Sequence, residues 1–214
     1  MIAYLDLDGC LVDSRVAISR CLNIGLEAVG APPRTPDRLH PLIGPPLHTA
    51  FEALLAEADL DAELADRCVA AYREAYREVC VTDTVVVPGI PDAVGRLAEA
   101  LPLAVVTSKP AAFAQPILEA VGLSEAFVAV HAPDLEARSE PKATTLARAL
   151  SDLAADRAPG ETVMVGDRHH DVDAGVACGT GTVAVTWGIG DVEELAHADR
   201  MVHRPRELVD ALLG

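Results

Sequence analysis

The chain has 214 residues, half of them hydrophobic, which is enough for one domain of ordinary size with a small insert. Its formal net charge is −16, with 15 arginines scattered among 33 acidic residues, and only 3% of the residues are aromatic. Such a surface repels nucleic acid and has no aromatic platform for stacking bases, so we expect no nucleic-acid partner.

Short aliphatic runs without polar alternation recur along the chain and predict buried parallel strands. In chain order these runs are residues 1–7, 103–107, 127–131, 162–166 and 182–186, with a closing strand at 200–203. Apolar residues at helical spacing between and after them predict helices at residues 91–100, 111–121, 141–155, 169–178 and 205–213. This alternation predicts an α/β fold with a doubly wound, mostly parallel, Rossmann-like sheet.

One interval breaks the alternation. Between residues 15 and 81 the pattern predicts only helices, at 16–29, 46–58 and 62–80, with a Pro-rich passage after the first of them. We interpret residues 15–81 as a helical insert, and residues 1–14 and 82–214 as the α/β core. The alternative is that these helices simply extend the core.

The first predicted strand ends in Asp6-Leu7-Asp8-Gly9. Two carboxylates separated by one residue at a strand end can meet one metal ion, or divide the roles of nucleophile and acid/base. Gly9 permits the sharp turn that follows. The alternative is a plain Asp-Gly turn after a strand.

Two further clusters follow predicted strands or begin predicted helices. Thr107 and Ser108 come directly after a strand, where a hydroxyl and the following backbone N–H groups suit a phosphate oxygen, although they also suit a helix N-cap. Lys109 and Lys142 are the only lysines, and both stand at strand-to-helix junctions. Lys142 falls in the first turn of its helix, where a cation is disfavoured unless it faces phosphate or carboxylates.

A fourth cluster follows the strand at residues 162–166. Asp167 lies at the tip of that strand, and Asp171 lies one helical turn further on the same side. Acids at a helix start also complement the helix dipole. Packing them opposite Asp6 and Asp8 would be costly without a divalent cation, and ligands that are all oxygen indicate Mg²⁺ rather than zinc.

These four clusters, in this order, resemble the haloacid dehalogenase-type hydrolase superfamily and, within it, the phosphoglycolate phosphatase-like branch. The resemblance covers nearly the whole chain, and it implies that residues 15–81 are an α-helical cap domain on a catalytic core of residues 1–14 and 82–214. It implies that Asp6 is the nucleophile and forms an aspartyl-phosphate, and that Asp8 is the general acid and base. It further implies that Lys142 steadies Asp6 and the developing charge, and that Thr107, Ser108 and the turn at Gly9 bind phosphate.

The same resemblance implies the metal site and the specificity region. Mg²⁺ would be held by Asp6, the backbone carbonyl of Asp8 and Asp167, with Asp171 bound directly or through water. The cap loop, defined here as residues 40–48, would select the substrate, with Gly44 and His48 as its candidate residues. The alternative for this loop is a hinge between helices.

The resemblance leaves several activities to weigh. The expected function is Mg²⁺-dependent hydrolysis of a small-metabolite phosphomonoester. A dehalogenase would lack Asp8, and a phosphonate hydrolase would use a cap lysine, whereas residues 15–81 contain none. A sugar-phosphate mutase needs a second phosphate site, which Arg15, Arg20, Arg34 and Arg38 could supply. A non-catalytic phosphate-binding module is the remaining alternative.

Composition also bears on location. Five cysteines form no CxxC pair, which disfavours a disulfide framework and fits a reducing cytoplasm. The apolar run at the N-terminus has no basic leader and is broken at Asp6, so we expect no signal peptide. No apolar span reaches about 18 residues, so we expect no membrane partner. We expect a cytoplasmic monomer or homodimer that acts on a small phosphorylated metabolite.

Overall fold

The computed structural model describes residues 1–137, 139–157 and 160–214. Eight strands lie in these ranges: β1 (Ile2–Leu5), β2 (Val12–Asp13), β3 (Val85–Val86), β4 (Leu103–Val106), β5 (Ala129–His131), β6 (Thr162–Gly166), β7 (Gly181–Val185) and β8 (Arg200–Val202). The main sheet has the order β5-β4-β1-β6-β7-β8, and every neighbouring pair is parallel. The predicted doubly wound α/β fold is therefore confirmed, with all six strands that the sequence indicated.

Nine α-helices accompany these strands in the described residues: α1 (Arg15–Glu27), α2 (Pro36–Leu39), α3 (Leu47–Ala56), α4 (Ala65–Val79), α5 (Ile90–Ala100), α6 (Ala111–Ala120), α7 (Lys142–Leu153), α8 (His169–Cys178) and α9 (Pro205–Leu213). Most agree with the predicted helices to within one to three residues at either end. None of the helices described is long and apolar enough to span a bilayer.

Strand β1 lies at the centre of the sheet because side chains on both of its faces are buried. Leu5 faces the larger core, which also includes residues of α5, α6 and α9. Tyr4 faces a second core with Leu146 of α7 and Ala174 of α8. The chain winds to β4 on one side of β1 and to β6 on the other, so β1 stands at the topological switch point where ligands bind in open α/β sheets.

The helices of the predicted cap pack on one another and on the core through aromatic side chains. Phe51 of α3 meets Tyr72 of α4 edge to face, and Tyr72 stacks on Tyr76 one turn further along α4. The Tyr76 ring then stands perpendicular to Phe113 of α6, with centroids 5.1 Å apart. The chain has six Phe and Tyr residues, and four of them form this connection. The assignment of residues 15–81 to a separate cap domain stays a prediction that this packing supports.

The junction between insert and core contains a feature that the sequence pattern did not indicate. Strands β2 and β3 pair antiparallel, with Val12 opposite Val86 and Asp13 opposite Val85. Two-residue strands are too short to show a period in the sequence. The Pro-rich passage also holds the short helix α2 and a 3₁₀ turn at His40–Leu42, because proline is well tolerated at the first helical position.

Candidate active site

Three neighbouring strands end in the polar residues that the sequence singled out. Asp6 follows β1, Thr107 follows β4 and Asp167 follows β6. Because these strands are adjacent and parallel, their carboxyl ends meet at one edge of the sheet. Helix α7 begins at Lys142 and brings its ammonium group to the same place, within 2.6 Å of Asp6.

A buried carboxylate cluster forms the centre of this edge. Asp6, Asp167 and Asp171 each offer an oxygen, and these oxygens lie within 4.8 Å of one another. Lys142 Nζ lies 2.6 Å from Asp6 Oδ1 and 2.8 Å from Asp171 Oδ1. Lys142 thus contacts two of the three buried carboxylates, and together the three carry more negative charge than one ammonium group balances.

This excess charge shows in the acidity of the groups. Burial raises the pKa of Asp6 to about 7; the Lys142 ammonium opposes the rise, and the Asp171 carboxylate adds to it. Burial raises the pKa of Asp167 as well, and Asp171 and Asp6 raise it further. Burial alone would lower the pKa of Lys142, but the two carboxylates beside it raise that pKa overall, so the lysine stays charged.

The residues present fit a divalent cation bound by oxygen. Asp167 Oδ2 accepts a hydrogen bond of 2.7 Å from the backbone N–H of Ile189, whereas its Oδ1 is buried and has no hydrogen-bond partner among the residues described. An orphaned carboxylate oxygen beside other carboxylates is a ready ligand for Mg²⁺. Asp171 is engaged on both oxygens, by Lys142 and by the backbone N–H of Arg168, which favours an indirect role toward the metal.

Glycines bring the backbone close to these carboxylates. A Cβ atom built on Gly9, which has φ +85°, would lie 2.1 Å from Asp167 Oδ2, and one on Gly188 would lie 2.2 Å from the same oxygen. On Gly166 it would lie 2.2 Å from the carboxylate of Asp171. Any side chain at these positions would displace a carboxylate, so glycine is required here for the site rather than for flexibility.

Asp8 lies beside the cluster but takes different partners. Its Oδ1 accepts a hydrogen bond of 2.6 Å from Ser14 Oγ and lies 3.1 Å from Lys109 Nζ. Lys109 Nζ also contacts the hydroxyl of Tyr76 in the cap and lies 4.5 Å from the centre of that ring. The Asp8 side chain is therefore held by a hydroxyl and an ammonium, outside the cluster of Asp6, Asp167 and Asp171.

The predicted phosphate-binding residues line a cavity in front of Asp6 and Asp8. Thr107 is almost fully buried, and its Oγ1 accepts a hydrogen bond of 3.1 Å from the backbone N–H of Lys109. Ser108 lines the same cavity, which has a volume of about 120 Å³. This volume is small against the roughly 300–1,000 Å³ of pockets for drug-sized ligands, so it suits a small metabolite.

The cap loop forms part of the wall of this cavity. Gly44 and His48 both line it, together with the prolines between them. Arg168 connects the loop to the core: its guanidinium donates to the backbone carbonyls of Ile43 and Pro41 and, over 2.8 Å, to the carboxylate of Glu194. The residue that follows Asp167 thus holds the cap loop in place.

Three contributors to the site were not assigned a role from the sequence. Lys109 was recognised only as one of two lysines at strand-to-helix junctions, and it pairs with Asp8. Gly188 lies in a stretch that shows no local signal of its packing against Asp167. The pairing of Arg168 with Glu194 joins residues 26 positions apart, which no local pattern indicates.

The four arginines of residues 15–38 do not form a second phosphate site. Arg15 pairs with Asp13 and Arg20 with Asp83, while Arg34 and Arg38 both approach Glu57. None of the four is among the described residues that line the cavity. The sugar-phosphate mutase alternative depended on a second phosphate site formed by these arginines. The structure gives no support for such a site at these positions.

A buried carboxylate cluster with a lysine lies at the carboxyl edge of a parallel sheet, and its residues fit a divalent cation. The model of the haloacid dehalogenase-like hydrolases matches residues 4–185. The chain belongs to this family, and its relatives support an enzyme of the phosphatase type.

Individual relatives match nearly the whole of this chain. The phosphoglycolate phosphatase of Chromobacterium violaceum is 33% identical over 211 residues, covering 97% of this chain and 94% of its own. The crystal structure of a predicted phosphatase from Clostridium acetobutylicum has a TM-score of 0.90 at 28% identity, covering 99% of this chain and 97% of that one. The tyrosine-protein kinase PtkA of Mycobacterium tuberculosis is 32% identical over 99% of this chain and 70% of its own.

Proposed function

We propose that this enzyme hydrolyses a small phosphomonoester through an aspartyl-phosphate on Asp6, with Mg²⁺ as cofactor. The observation that carries the proposal is the pairing of Asp6 with Lys142 in a buried acidic cluster that opens on the same cavity as Thr107. Phosphatases among the relatives, including the phosphoglycolate phosphatase, support this class of substrate.

In the first step an oxygen of Asp6 attacks phosphorus, and the bond from phosphorus to the leaving oxygen breaks. Asp8 gives its proton to that leaving oxygen, while Thr107 and the backbone around Ser108 hold the phosphoryl oxygens. The Lys142 ammonium beside Asp6 orients the carboxylate and stabilises the negative charge on the transferring group.

In the second step water attacks phosphorus, the bond to Asp6 breaks and Asp8 takes the proton of that water. Asp8 is suited to both proton transfers because its carboxylate is fixed by Ser14 and Lys109 and lines the cavity. Asp6, the Asp8 backbone carbonyl and Asp167 would hold Mg²⁺, which would supply positive charge to offset the carboxylates and the phosphate.

The cap loop encloses the substrate above this machinery, with Gly44 and His48 in its wall. Enclosure excludes competing water, which favours a small metabolite over a phosphoprotein or nucleic acid. We further propose a cytoplasmic location, which agrees with the five cysteines, all of them free of disulfides.

A screen of small phosphomonoesters with excess Mg²⁺, and again with EDTA, tests the proposed function. We expect phosphate release from at least one metabolite with Mg²⁺ and none with EDTA. Transfer of phosphate from ATP to tyrosine, without hydrolysis of any ester, would instead favour the activity for which the mycobacterial relative is named. Binding of phosphate mimics without turnover would favour a non-catalytic module.

A further inference from the structure

The wall of the cavity that residues 15–81 form, called here the cap wall, contains two buried side-chain nitrogens, one from an arginine and one from a histidine. Arg73 on α4 and His48 at the start of α3 both line the cavity. Arg73 Nε and His48 Nδ1 are buried, and neither has a hydrogen-bond partner within the described part of the chain. Leaving such donors and acceptors unpaired costs free energy, so a partner is expected to arrive with the ligand.

In a chain with a net charge of −16, an arginine is expected to pair with one of the many acidic side chains, and Arg73 departs from this expectation. Arg77, one turn further along the same helix, pairs with Glu74 over 2.6 Å, as expected where acids are abundant. Arg73 has no ion pair of this kind among the described residues, although a carboxylate, Glu140, lines the same cavity. Glu140 is already engaged by the hydroxyl of Thr145 and the guanidinium of Arg148, so it does not neutralise Arg73.

The position of Arg73 relative to the reacting groups follows from the helix. Arg73 precedes Tyr76 by three residues, so the two share one face of α4 and lie about 4.5 Å apart along its axis. Tyr76 contacts Lys109, which pairs with Asp8. Arg73 therefore lies about one helical turn from Tyr76, in the wall of the same cavity that Asp8 and Lys109 line, where the end of a small substrate remote from the phosphate can reach it.

Most of the remaining cap wall is apolar, which makes this polar position distinctive. The cavity is lined there by aliphatic and aromatic side chains, namely Ile18, Leu22, Leu42, Ile43, Leu47 and Tyr72. A guanidinium among such groups interacts strongly with an anion, because little water competes for it. Its planar fork matches a carboxylate through two parallel hydrogen bonds.

We propose that Arg73 is a specificity-determining residue that binds a carboxylate at the end of the substrate remote from the phosphate. His48 lies in the same wall; when its Nε2–H donates to Asp66, over 3.0 Å, its Nδ1 remains as an acceptor for a substrate hydroxyl. The substrate class is then a small phosphomonoester of a carboxylic acid. This inference rests on the proposed phosphatase function and deepens it.

A matched pair of substrates tests the inference. Phosphoglycolate and ethyl phosphate both place a phosphate on a two-carbon chain, but only the first carries a carboxylate. We expect wild type to show a kcat/KM for phosphoglycolate about tenfold to a hundredfold above that for ethyl phosphate. Arg73→Met should remove most of this preference, mainly through KM for phosphoglycolate, and leave ethyl phosphate unchanged. Arg77→Met removes the same charge from the same helix outside the cavity and should leave both values unchanged.

Several results would overturn the inference. One is a wild type with equal kcat/KM for the two substrates, and another is an Arg73→Met variant that keeps the preference for phosphoglycolate. An equal loss of kcat/KM on both substrates would mean that Arg73 has a structural role. If a bisphosphate outcompeted phosphoglycolate, Arg73 would bind a second phosphate rather than a carboxylate, and the inference would be wrong. If Arg73→Met does not fold, Arg73→Lys must show a reduced preference, since it keeps the charge and loses the fork.

The proposed function can fail separately. If neither ester is hydrolysed by wild type, the phosphatase proposal is wrong, and calorimetric titration with the same two compounds still tests Arg73. The inference then predicts tighter binding of phosphoglycolate than of ethyl phosphate, with the difference lost in Arg73→Met and kept in Arg77→Met. Equal binding of the two compounds to wild type would contradict it.

Discussion

The buried carboxylate cluster should make the protein less stable as the pH rises toward 7. Mg²⁺ bound to the same carboxylates should oppose this loss of stability. Burial raises the pKa of Asp6 from an ordinary value of 3.8 to about 7. Between these two values the folded protein keeps a proton that the unfolded chain releases. This contribution to stability is therefore present at low pH, is lost as the pH rises toward 7, and changes little above it.

The size of the effect follows from the same values. At about 1.4 kcal/mol for each pKa unit, the difference between 3.8 and about 7 corresponds to about 4 kcal/mol as an upper bound. Mg²⁺ binds the ionised carboxylates and competes with this proton. With a pKa near 7, the apparent affinity for Mg²⁺ should be about thirtyfold lower at about pH 5.5 than at about pH 8, or about 2 kcal/mol.

Urea unfolding with EDTA or with Mg²⁺, at each of the two pH values, measures this directly. The increase in the free energy of unfolding on adding a fixed, subsaturating concentration of Mg²⁺ should be larger at the higher pH. Taking the difference at each pH cancels the titration of groups that do not interact with the metal site. Asp167→Asn keeps the shape of the side chain and should lose most of the increase. An equal increase at both pH values, or a full increase in Asp167→Asn, would refute the reasoning.

Three further changes test separate contacts of the site. Gly188→Ala should raise the Mg²⁺ concentration for half-maximal activity about tenfold or more, because its Cβ would lie 2.2 Å from an oxygen of Asp167. The matched control Gly95→Ala, in open space on a helix, should keep that value and gain about 0.5–1 kcal/mol of stability in urea unfolding. Lys142→Met should lower kcat at least about a hundredfold in steady-state assays, since it removes the ammonium beside the nucleophile; an unchanged kcat would contradict its role. Arg168→Met should raise KM about tenfold with little change in the Mg²⁺ requirement, because it removes the hydrogen bonds that hold the cap loop. An unchanged KM would contradict the role of Arg168 in holding that loop.

Much of the fold could be predicted because its signals are local. The buried strands are continuous aliphatic runs, as both faces of a parallel sheet are covered, and the helices between them keep apolar residues at a helical period. Asp6, Thr107 and Asp167 could be placed at one edge because parallel strands end there together. The pairing of β2 with β3 was missed because two-residue strands have no period to read.

The parts of the site that could not be predicted depend on contacts between distant residues. Lys109 meets Tyr76 of the cap only after the insert folds back over the sheet, across 33 positions. Gly188 and Asp167 are separated in sequence. Only their packing in the structure shows that a side chain at position 188 would collide with the Asp167 carboxylate. Arg73 resembles any other arginine of an amphipathic helix until the cavity that it lines is known.

The central claim, that Asp6 attacks phosphorus, is tested most directly by trapping the covalent intermediate. Wild type is mixed with an excess of its best substrate and Mg²⁺, quenched during turnover and reduced with borohydride, which converts an aspartyl-phosphate to homoserine. Mass spectrometry of the peptides should show homoserine at position 6 in wild type, and Asp6→Asn should show neither homoserine nor turnover while remaining folded. Homoserine at another aspartate, or substantial turnover by Asp6→Asn, would contradict the account.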